Sequence, residues 1–287
     1  MKNLKRKISL LTARTVNLWM RSPEKIFYLH IPKCGGTSVT NAIQACYYKW
    51  SFSDTLNFFS LDGSASWKTT EILNNIELSS NIVNDKTVMN LREELLIYYM
   101  SQRHIEYIGG HFGFSLKAYQ QFHHEYAFIT ILRNPVKRWI SSYLYNRYRQ
   151  PQKYRQINMN FQDYLESDFG KSQGYEYAKF LGGNDTGENF LNRAAIDRAK
   201  KNLHKFRLIG FLEDMDSFKV KFKEQFDRDL NIGFLNQGSK NGKSENPLIT
   251  ETEKEQIKKI CWPDIEVYQY AVNNFASPNI RNQLLRV

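Results

Sequence analysis

The feature that most constrains this chain is a glycine turn between an apolar run and an amphipathic stretch, within residues 25–45 (KIFYLHIPKCGGTSVTNAIQA). The run before the turn predicts a buried strand, and the apolar spacing after it predicts a helix that opens at Thr37 and Ser38. The first amides of a helix have no partner within the helix, and the helix dipole favours negative charge beside them. Glycines let the backbone approach a ligand closely. The stretch therefore predicts an anion site that suits phosphate groups.

The position of the lysine decides which kind of phosphate loop this is. A Walker-type nucleoside-triphosphatase loop has its lysine after the glycines, in the order G-x-x-x-x-G-K-[ST]. Here Lys33 comes before Gly35 and Gly36, in the order P-K-x-G-G-T-S. We therefore predict a phosphate loop of another type, in which Lys33 adds a mobile cation and Thr37 and Ser38 add hydroxyl groups. The alternative is an ordinary strand–helix turn whose glycines only cap the helix.

Two later apolar runs end in residues that suit the same ligand. Residues 105–110 predict a short strand followed by His111, and residues 126–132 predict a buried parallel strand followed by Arg133. Open α/β sheets bind ligands at the carboxyl ends of their strands. A histidine there can take a proton from a hydroxyl group near neutral pH, and an arginine suits phosphate oxygens. The alternative for His111 is a turn histidine that bonds only to the backbone.

The rest of the chain predicts further helices. Asn134 fits a helix N-cap and Pro135 a first helical position, while Thr250 and Glu253 form a capping-box pattern. We expect His30 to lie inside the first strand as a packed core residue. The predicted helices cover residues 71–76, 88–101, 136–148, 217–226, 251–260 and 263–275, and residues 161–164, 175–181 and 196–203 predict helices or turns.

A resemblance to a known family follows from three of these segments. Residues 30–38, HIPKCGGTS, resemble the 5′-phosphosulfate loop of sulfotransferases, closest to the carbohydrate class that includes heparan sulfate 2-O-sulfotransferases. Residues 133–141 carry R-N-P-x-x-R-x-x-S, which is similar to the segment that binds the 3′-phosphate of 3′-phosphoadenosine 5′-phosphosulfate (PAPS). Residues 110–114 are similar to a G-H-x-x-[FY] segment whose histidine is the base. The family usually has Thr where this chain has Cys34, a position that need only supply a backbone N–H group.

The resemblance implies both a fold and a reaction. The fold is α/β in three layers, a mostly parallel sheet flanked by helices, of the P-loop-NTPase-like type of sulfotransferases. The reaction moves a sulfuryl group from PAPS to an acceptor hydroxyl group, with His111 as base and Lys33 stabilising the leaving phosphate. Arg133 and Ser141 would anchor the 3′-phosphate, and no metal ion is expected. Lys240 lies in a loop near the place where a loop of relatives closes over the nucleotide. The residues expected to bind PAPS are Lys33, Cys34, Gly35, Gly36, Thr37, Ser38, Arg133, Ser141 and Lys240.

Charge and cysteine content bear on compartment and partners. The formal net charge is +11, and over half of this surplus lies in the first 25 residues. We predict a basic arm over residues 1–22 and a single sulfotransferase domain over residues 23–287. The apolar stretch 8–13 in the arm is too short to span a membrane, so we expect at most peripheral contact with an anionic surface. Three cysteines without a C-x-x-C pair predict a reducing, cytoplasmic location.

Two other functions remain open from the sequence. A P-loop kinase or NTPase needs the lysine after the glycines and an aspartate at a strand end to hold Mg²⁺, but the strand at 126–132 ends at Arg133. A basic nucleic-acid-binding protein would use the arm and the seven basic residues of 133–155, yet it leaves both loops and His111 unexplained. We therefore expect no nucleic-acid partner. The resemblance implies a carbohydrate or glycolipid acceptor, while a small alcohol and a peptidyl tyrosine stay open.

Overall fold

A parallel sheet forms the centre of the molecule. The structure, a computed structural model, describes residues 24–48, 57–77, 82–148, 156–183, 192–233 and 249–286. The predicted arm over residues 1–22 and Lys240 lie outside these residues. Within them, five parallel strands pair in the order β2-β3-β1-β4-β5. The strands are β1 Lys25–Leu29, β2 Phe58–Ser60, β3 Tyr107–Gly110, β4 Tyr126–Leu132 and β5 Leu208–Phe211.

Helices connect these strands and follow the last of them. A short 3₁₀ helix, Leu212–Asp214, comes directly after β5. None of the helices in the described ranges combines the length and the apolar character that a membrane span requires. The α-helices are α1 Gly36–Tyr48, α2 Gly63–Asn74, α3 Ile82–Met100, α4 Leu116–Phe122, α5 Pro135–Tyr148, α6 Phe161–Glu166, α7 Asp168–Ser172, α8 Glu176–Gly182, α9 Arg193–Leu203, α10 Met215–Phe226, α11 Glu251–Ile260, α12 Trp262–Phe275 and α13 Pro278–Leu284.

Helices cover both faces of the sheet. Successive side chains of a strand point to opposite faces, and β1 shows this directly. Phe27 and Leu29 pack into a core formed with α3, α8, α9 and α12. Ile26 and Tyr28 pack into a second core, formed with α1 and α10. This arrangement confirms the predicted α/β class, because burial on both faces is what turns the strand sequences into near-continuous apolar runs.

Some elements differ from the sequence prediction. The strand β2 was not predicted, because three residues at a sheet edge leave too short a pattern to recognise. The helix α2 begins at Gly63, well before the predicted start at residue 71, because the Asp62 side chain accepts the amides of Ser64 and Ala65 and caps the helix there. The helices α4, α7 and α13 were also missed.

The topology brings three strand ends together. After β1 the chain forms β2 and β3 on one side of it and then β4 and β5 on the other, so β1 lies at a point where the strand order reverses. Leu29, the last residue of β1, is level with Gly110 on β3 and with Thr130 on β4. Ligands of open parallel sheets bind in the crevice at such a reversal. The segments that follow β3, β1 and β4 therefore define the candidate site.

Candidate active site

The glycine turn, residues 30–35, follows β1 and leads into α1. Lys33 and Gly35 both adopt left-handed backbone conformations, with φ of +68° and +80°. The Val39 amide donates to the Gly35 carbonyl over 3.4 Å and closes the first turn of the helix. Among the hydrogen bonds of the described residues, none is donated by the amides of Gly36 or Thr37. These amides lie at the positive end of the α1 dipole, so the turn has the geometry of an anion site.

The histidine at the start of the glycine turn explains why Gly36 must be glycine. His30 lies directly after β1 rather than inside the strand as predicted, because the strand ends at Leu29. A Cβ atom at position 36 would collide with the His30 ring. That ring also lies 4.4 Å from the His111 ring, centroid to centroid. Desolvation lowers the pKa of His30 well below its usual range, and His111 and Lys33 lower it further, so His30 is neutral near pH 7.

The predicted base, His111, is fixed by its neighbours on both sides. Its Nδ1 atom lies 2.7 Å from the His30 carbonyl oxygen. A carbonyl can only accept, so Nδ1 carries the proton and Nε2 is the acceptor nitrogen of the neutral ring. The His111 carbonyl accepts a bond of 2.9 Å from Arg92, whose Nε donates to Ser66. The Nδ1 contact is the one expected of a turn histidine, and it also selects the tautomer that a base requires.

Lys33 bridges from the glycine turn to α5. Its ammonium lies 3.7 Å from the ring centroid of Tyr145, a cation–π contact. Its carbonyl accepts a 3.1 Å bond from the Arg133 guanidinium. Tyr145 lies four residues after Ser141, so the two share one face of α5. Lys33 and Arg133 are therefore in direct contact, and Ser141 lies on the face of α5 that carries Tyr145. The space between the glycine turn and α5 is the candidate cleft.

The arginine turn, residues 133–134, follows β4 and is held by side chains. The Tyr177 hydroxyl accepts the Arg133 amide over 2.7 Å and donates to the Arg133 carbonyl. The Asn134 amide donates to the Glu213 carboxylate over 3.0 Å, and the Asn134 side chain accepts the Lys137 amide over 3.1 Å. The helix α5 begins at Pro135, which confirms the predicted cap at Asn134 and the predicted first helical residue.

Cys34 faces the interior of the protein. Its side chain is fully buried, with Sγ 3.8 Å from the Pro32 carbonyl and 3.6 Å from the Tyr177 hydroxyl. Burial raises the pKa of the Cys34 thiol to about 12. Its amide, which we expected to serve the sulfuryl donor, donates instead to the Ile31 carbonyl over 3.3 Å. Cys34 thus contributes packing beneath the turn. Within the described part of the chain, the amides of Gly36 and Thr37 donate no hydrogen bond, whereas that of Cys34 does.

The second arginine of the R-N-P-x-x-R pattern is structural. Arg138 is fully buried and pairs with Asp264 of α12 at 3.7 Å. Asp264 also accepts the amides of Tyr177 and Ala178 at the start of α8, over 2.7 and 3.3 Å. Arg138 is therefore not part of a solvated basic face, which weakens the nucleic-acid interpretation of residues 133–155. Its partner is remote in sequence, so no local pattern could reveal the burial.

Sequence reasoning missed four residues that shape the site. Tyr177 and Glu213 hold the arginine turn, Tyr145 contacts Lys33, and Arg92 fixes the backbone of His111. Each acts on a residue that lies far away along the chain. For Tyr145 alone a signal was present, because it follows Ser141 by one helical turn and therefore shares its face of α5.

Together, the fold and the site define an α/β protein whose central strand leads into a turn with the geometry of an anion site, and whose neighbouring strand is followed by a cationic residue. Residues 16–271 match the family model described as "Sulfotransferase family", and the chain belongs to this family of enzymes. Sulfuryl transfer as the general reaction is thereby supported. A search of curated proteins found no match.

Proposed function

We propose that this enzyme transfers a sulfuryl group from PAPS to a hydroxyl group of a saccharide, with His111 as base and Lys33 at the leaving phosphate. The main observation behind the proposal is that the residues directly after β1, β3 and β4 are in contact with one another. The Arg133 guanidinium after β4 bonds to the Lys33 carbonyl after β1 over 3.1 Å. His111 after β3 bonds to the His30 carbonyl after β1 over 2.7 Å. One nucleotide can therefore contact all three segments.

The residues of the cleft fit a donor that is anionic at both ends. The amides of Gly36 and Thr37, the Ser38 hydroxyl and the Lys33 ammonium suit a phosphosulfate group. The Arg133 guanidinium and the Ser141 hydroxyl suit a second phosphate group. The two sets are joined by direct contact between the turns, which makes one bisphosphorylated ligand a better match than two separate anions.

The chemistry follows from these positions. When bound, PAPS supplies the sulfuryl group and a phosphate as leaving group. Lys33 and the amides at the start of α1 stabilise the negative charge that grows on the leaving oxygen. Nε2 of His111 accepts the proton of the acceptor hydroxyl group. Arg133 and Ser141 fix the register of the donor, so that the reacting atoms meet in attack geometry. No step of this mechanism is assigned to a metal ion.

The acceptor and the location are finer parts of the proposal. A carbohydrate or a glycolipid is supported by the resemblance of residues 30–38 to the loop of carbohydrate sulfotransferases. A reducing, cytoplasmic location is supported by Cys34, Cys46 and Cys261, which are buried and form no disulfide. Peripheral contact of the basic arm, residues 1–22, with anionic membranes completes the proposal.

The direct test is incubation with radiolabelled PAPS and a panel of saccharides, glycolipids and phenols. We expect label to appear on a saccharide with the wild-type protein. Lys33→Ala and His111→Ala should each lower kcat by about a thousandfold while still binding the nucleotide. His123→Ala is the matched control, because His123 is an exposed histidine that bonds to the Tyr119 carbonyl. Full turnover by His111→Ala would remove His111 as base, and label found only on phenols would remove the saccharide acceptor.

A further inference from the structure

One buried hydroxyl group lies between the two turns that form the cleft. Tyr177, at the start of α8, is fully buried. Its oxygen accepts the Arg133 amide over 2.7 Å and its proton goes to the Arg133 carbonyl. The Cys34 thiol of the glycine turn lies 3.6 Å from the same oxygen. The hydroxyl therefore contacts both turns at once.

The hydrogen-bond accounting shows why this position matters. The strand β4 ends at Leu132, so the N–H and C=O groups of Arg133 lie beyond the sheet. Both groups need partners when they are buried. A phenol carries one proton and can accept further bonds, so it can serve both groups of one residue. The proton is used by the Arg133 carbonyl. The single proton of the Cys34 thiol faces two acceptors, the Pro32 carbonyl at 3.8 Å and the Tyr177 oxygen at 3.6 Å.

A buried ion pair holds Tyr177 in place. Asp264 accepts the Tyr177 amide over 2.7 Å and is paired with Arg138 at 3.7 Å. Arg138 itself lies on α5, the helix that begins just after the arginine turn. These contacts therefore form a closed ring. Arg138 of α5 pairs with Asp264 of α12, Asp264 bonds to Tyr177 of α8, and Tyr177 bonds to Arg133 just before α5. Desolvation raises the pKa of Tyr177 well above its usual range, so the hydroxyl keeps its proton throughout the neutral range.

We propose that Tyr177 is a positioning residue for sulfuryl transfer, which sets the Arg133 turn against the glycine turn and so fixes the spacing between the groups that hold the two ends of the donor. The inference rests on the proposed function, in which Arg133 binds the 3′-phosphate. Tyr177 does not touch the donor. It acts through the backbone of Arg133, and its loss should reduce recognition of the 3′-phosphate more than recognition of the 5′ end.

The test compares two nucleotides on two tyrosine variants. Calorimetry of the full chain gives the affinity for 3′-phosphoadenosine 5′-phosphate (PAP) and for AMP, which lacks the 3′-phosphate. Tyr177→Phe keeps the ring and removes only the hydroxyl group. We expect it to lower the PAP-to-AMP affinity ratio by about tenfold, with AMP affinity unchanged. Tyr28→Phe is the control, because Tyr28 is also fully buried and its hydroxyl has no hydrogen-bond partner among the described residues. Its ratio should equal that of the wild type.

The outcomes separate this inference from the proposed function. A wild-type preference for PAP that survives Tyr177→Phe removes the inference alone, and so does an equal loss of PAP and AMP affinity. A wild-type protein that binds PAP no better than AMP removes the proposed function and the inference with it. Should Tyr177→Phe unfold, Cys34→Ala tests the same connection from the other turn. It should lower the ratio about two- to threefold, and an unchanged ratio then overturns the inference.

Discussion

Both β1 and β4 run into a short turn and then a helix, and the glycine turn and the arginine turn form the two halves of the cleft. The arginine turn is satisfied by protein side chains, since Tyr177, Glu213 and Asn134 bond to its backbone and to the start of α5. The glycine turn leaves the amides of Gly36 and Thr37 without hydrogen bonds among the described residues.

This difference tells the two roles apart. A turn whose amides are already bonded cannot bind an anion through them, so the arginine turn, residues 133–134, can act only through the side chain that it presents. A helix start with open amides binds through the backbone and needs no particular side chain at each position. The glycine turn should therefore be sensitive to added bulk, and the arginine turn to the removal of one guanidinium.

Among the changes that test this difference between the two turns, the largest effect should come from bulk in the glycine turn. Gly36→Ala places a methyl group into the His30 ring, which displaces the turn and should lower kcat/KM more than about a hundredfold. Gly233→Ala is the control, because nothing lies within 4 Å of a Cβ atom there. Adding His30→Ala to Gly36→Ala removes the collision and should restore thermal stability. A double variant no more stable than Gly36→Ala would show that the collision is not the cause.

The next largest effect is expected from the contrast between Arg133 and Arg138, the two arginines of the R-N-P-x-x-R pattern. Arg133→Ala should weaken PAP binding by about ten- to a hundredfold and leave the melting temperature nearly unchanged. Arg138→Ala should lower the free energy of unfolding by about 3–5 kcal/mol, because it removes a fully buried side chain and takes its partner away from the buried Asp264 carboxyl. Calorimetric titration and chemical denaturation measure the two quantities. Equal losses of stability in both variants would contradict the division between a binding and a structural arginine.

A smaller effect is expected where the two halves of the cleft meet. Tyr145→Leu removes the ring beneath the Lys33 ammonium and should lower kcat about fivefold, with little change in PAP affinity. Tyr145→Phe keeps the ring face and should keep the activity. Tyr148→Leu, on the same helix, removes a half-exposed tyrosine that contacts Arg147 instead and serves as the control. Loss of activity in Tyr145→Phe equal to that in Tyr145→Leu would point to the hydroxyl group rather than the ring.

The smallest effect concerns Cys34, which belongs to the glycine turn but faces the interior. Burial raises its pKa to about 12, so only about one thiol in ten thousand is ionised at pH 8. Iodoacetamide should therefore leave Cys34 unmodified in the folded protein and modify it after denaturation, as mass spectrometry of the peptides would show. Rapid labelling of the native protein would mean that the glycine turn opens to solvent.

Local sequence signals were sufficient to predict those helices and strands whose ends are marked by residues in the sequence itself. The strand β4 matches its predicted range because an unbroken apolar run ends at an arginine and a proline-containing helix start. The helix α11 matches its prediction because Thr250 and Glu253 form the capping box that their spacing in the sequence predicts. The strand β2, by contrast, has only three residues and depends on pairing with β3, so its sequence carries too little information.

Lys33, His111 and Arg133 lie close together for the same reason, since three strand ends with recognisable sequences align at one edge of a parallel sheet. What the sequence could not reveal is the support around them. Tyr177 and Asp264 act on residues far along the chain, and Arg138 looks like part of a basic surface until its buried partner is known. Those contacts depend on how helices pack over the sheet, which no local pattern specifies.

The backbone of Lys33 has a consequence for the history of this protein. A left-handed conformation costs a residue with a side chain about 1 kcal/mol more than it costs glycine. Lys33→Gly should therefore raise the melting temperature of the protein and abolish the sulfuryl transfer proposed for it. If variants were selected for heat tolerance alone, lysine at position 33 should be replaced. Its retention in such variants would therefore show that catalytic activity had also been selected.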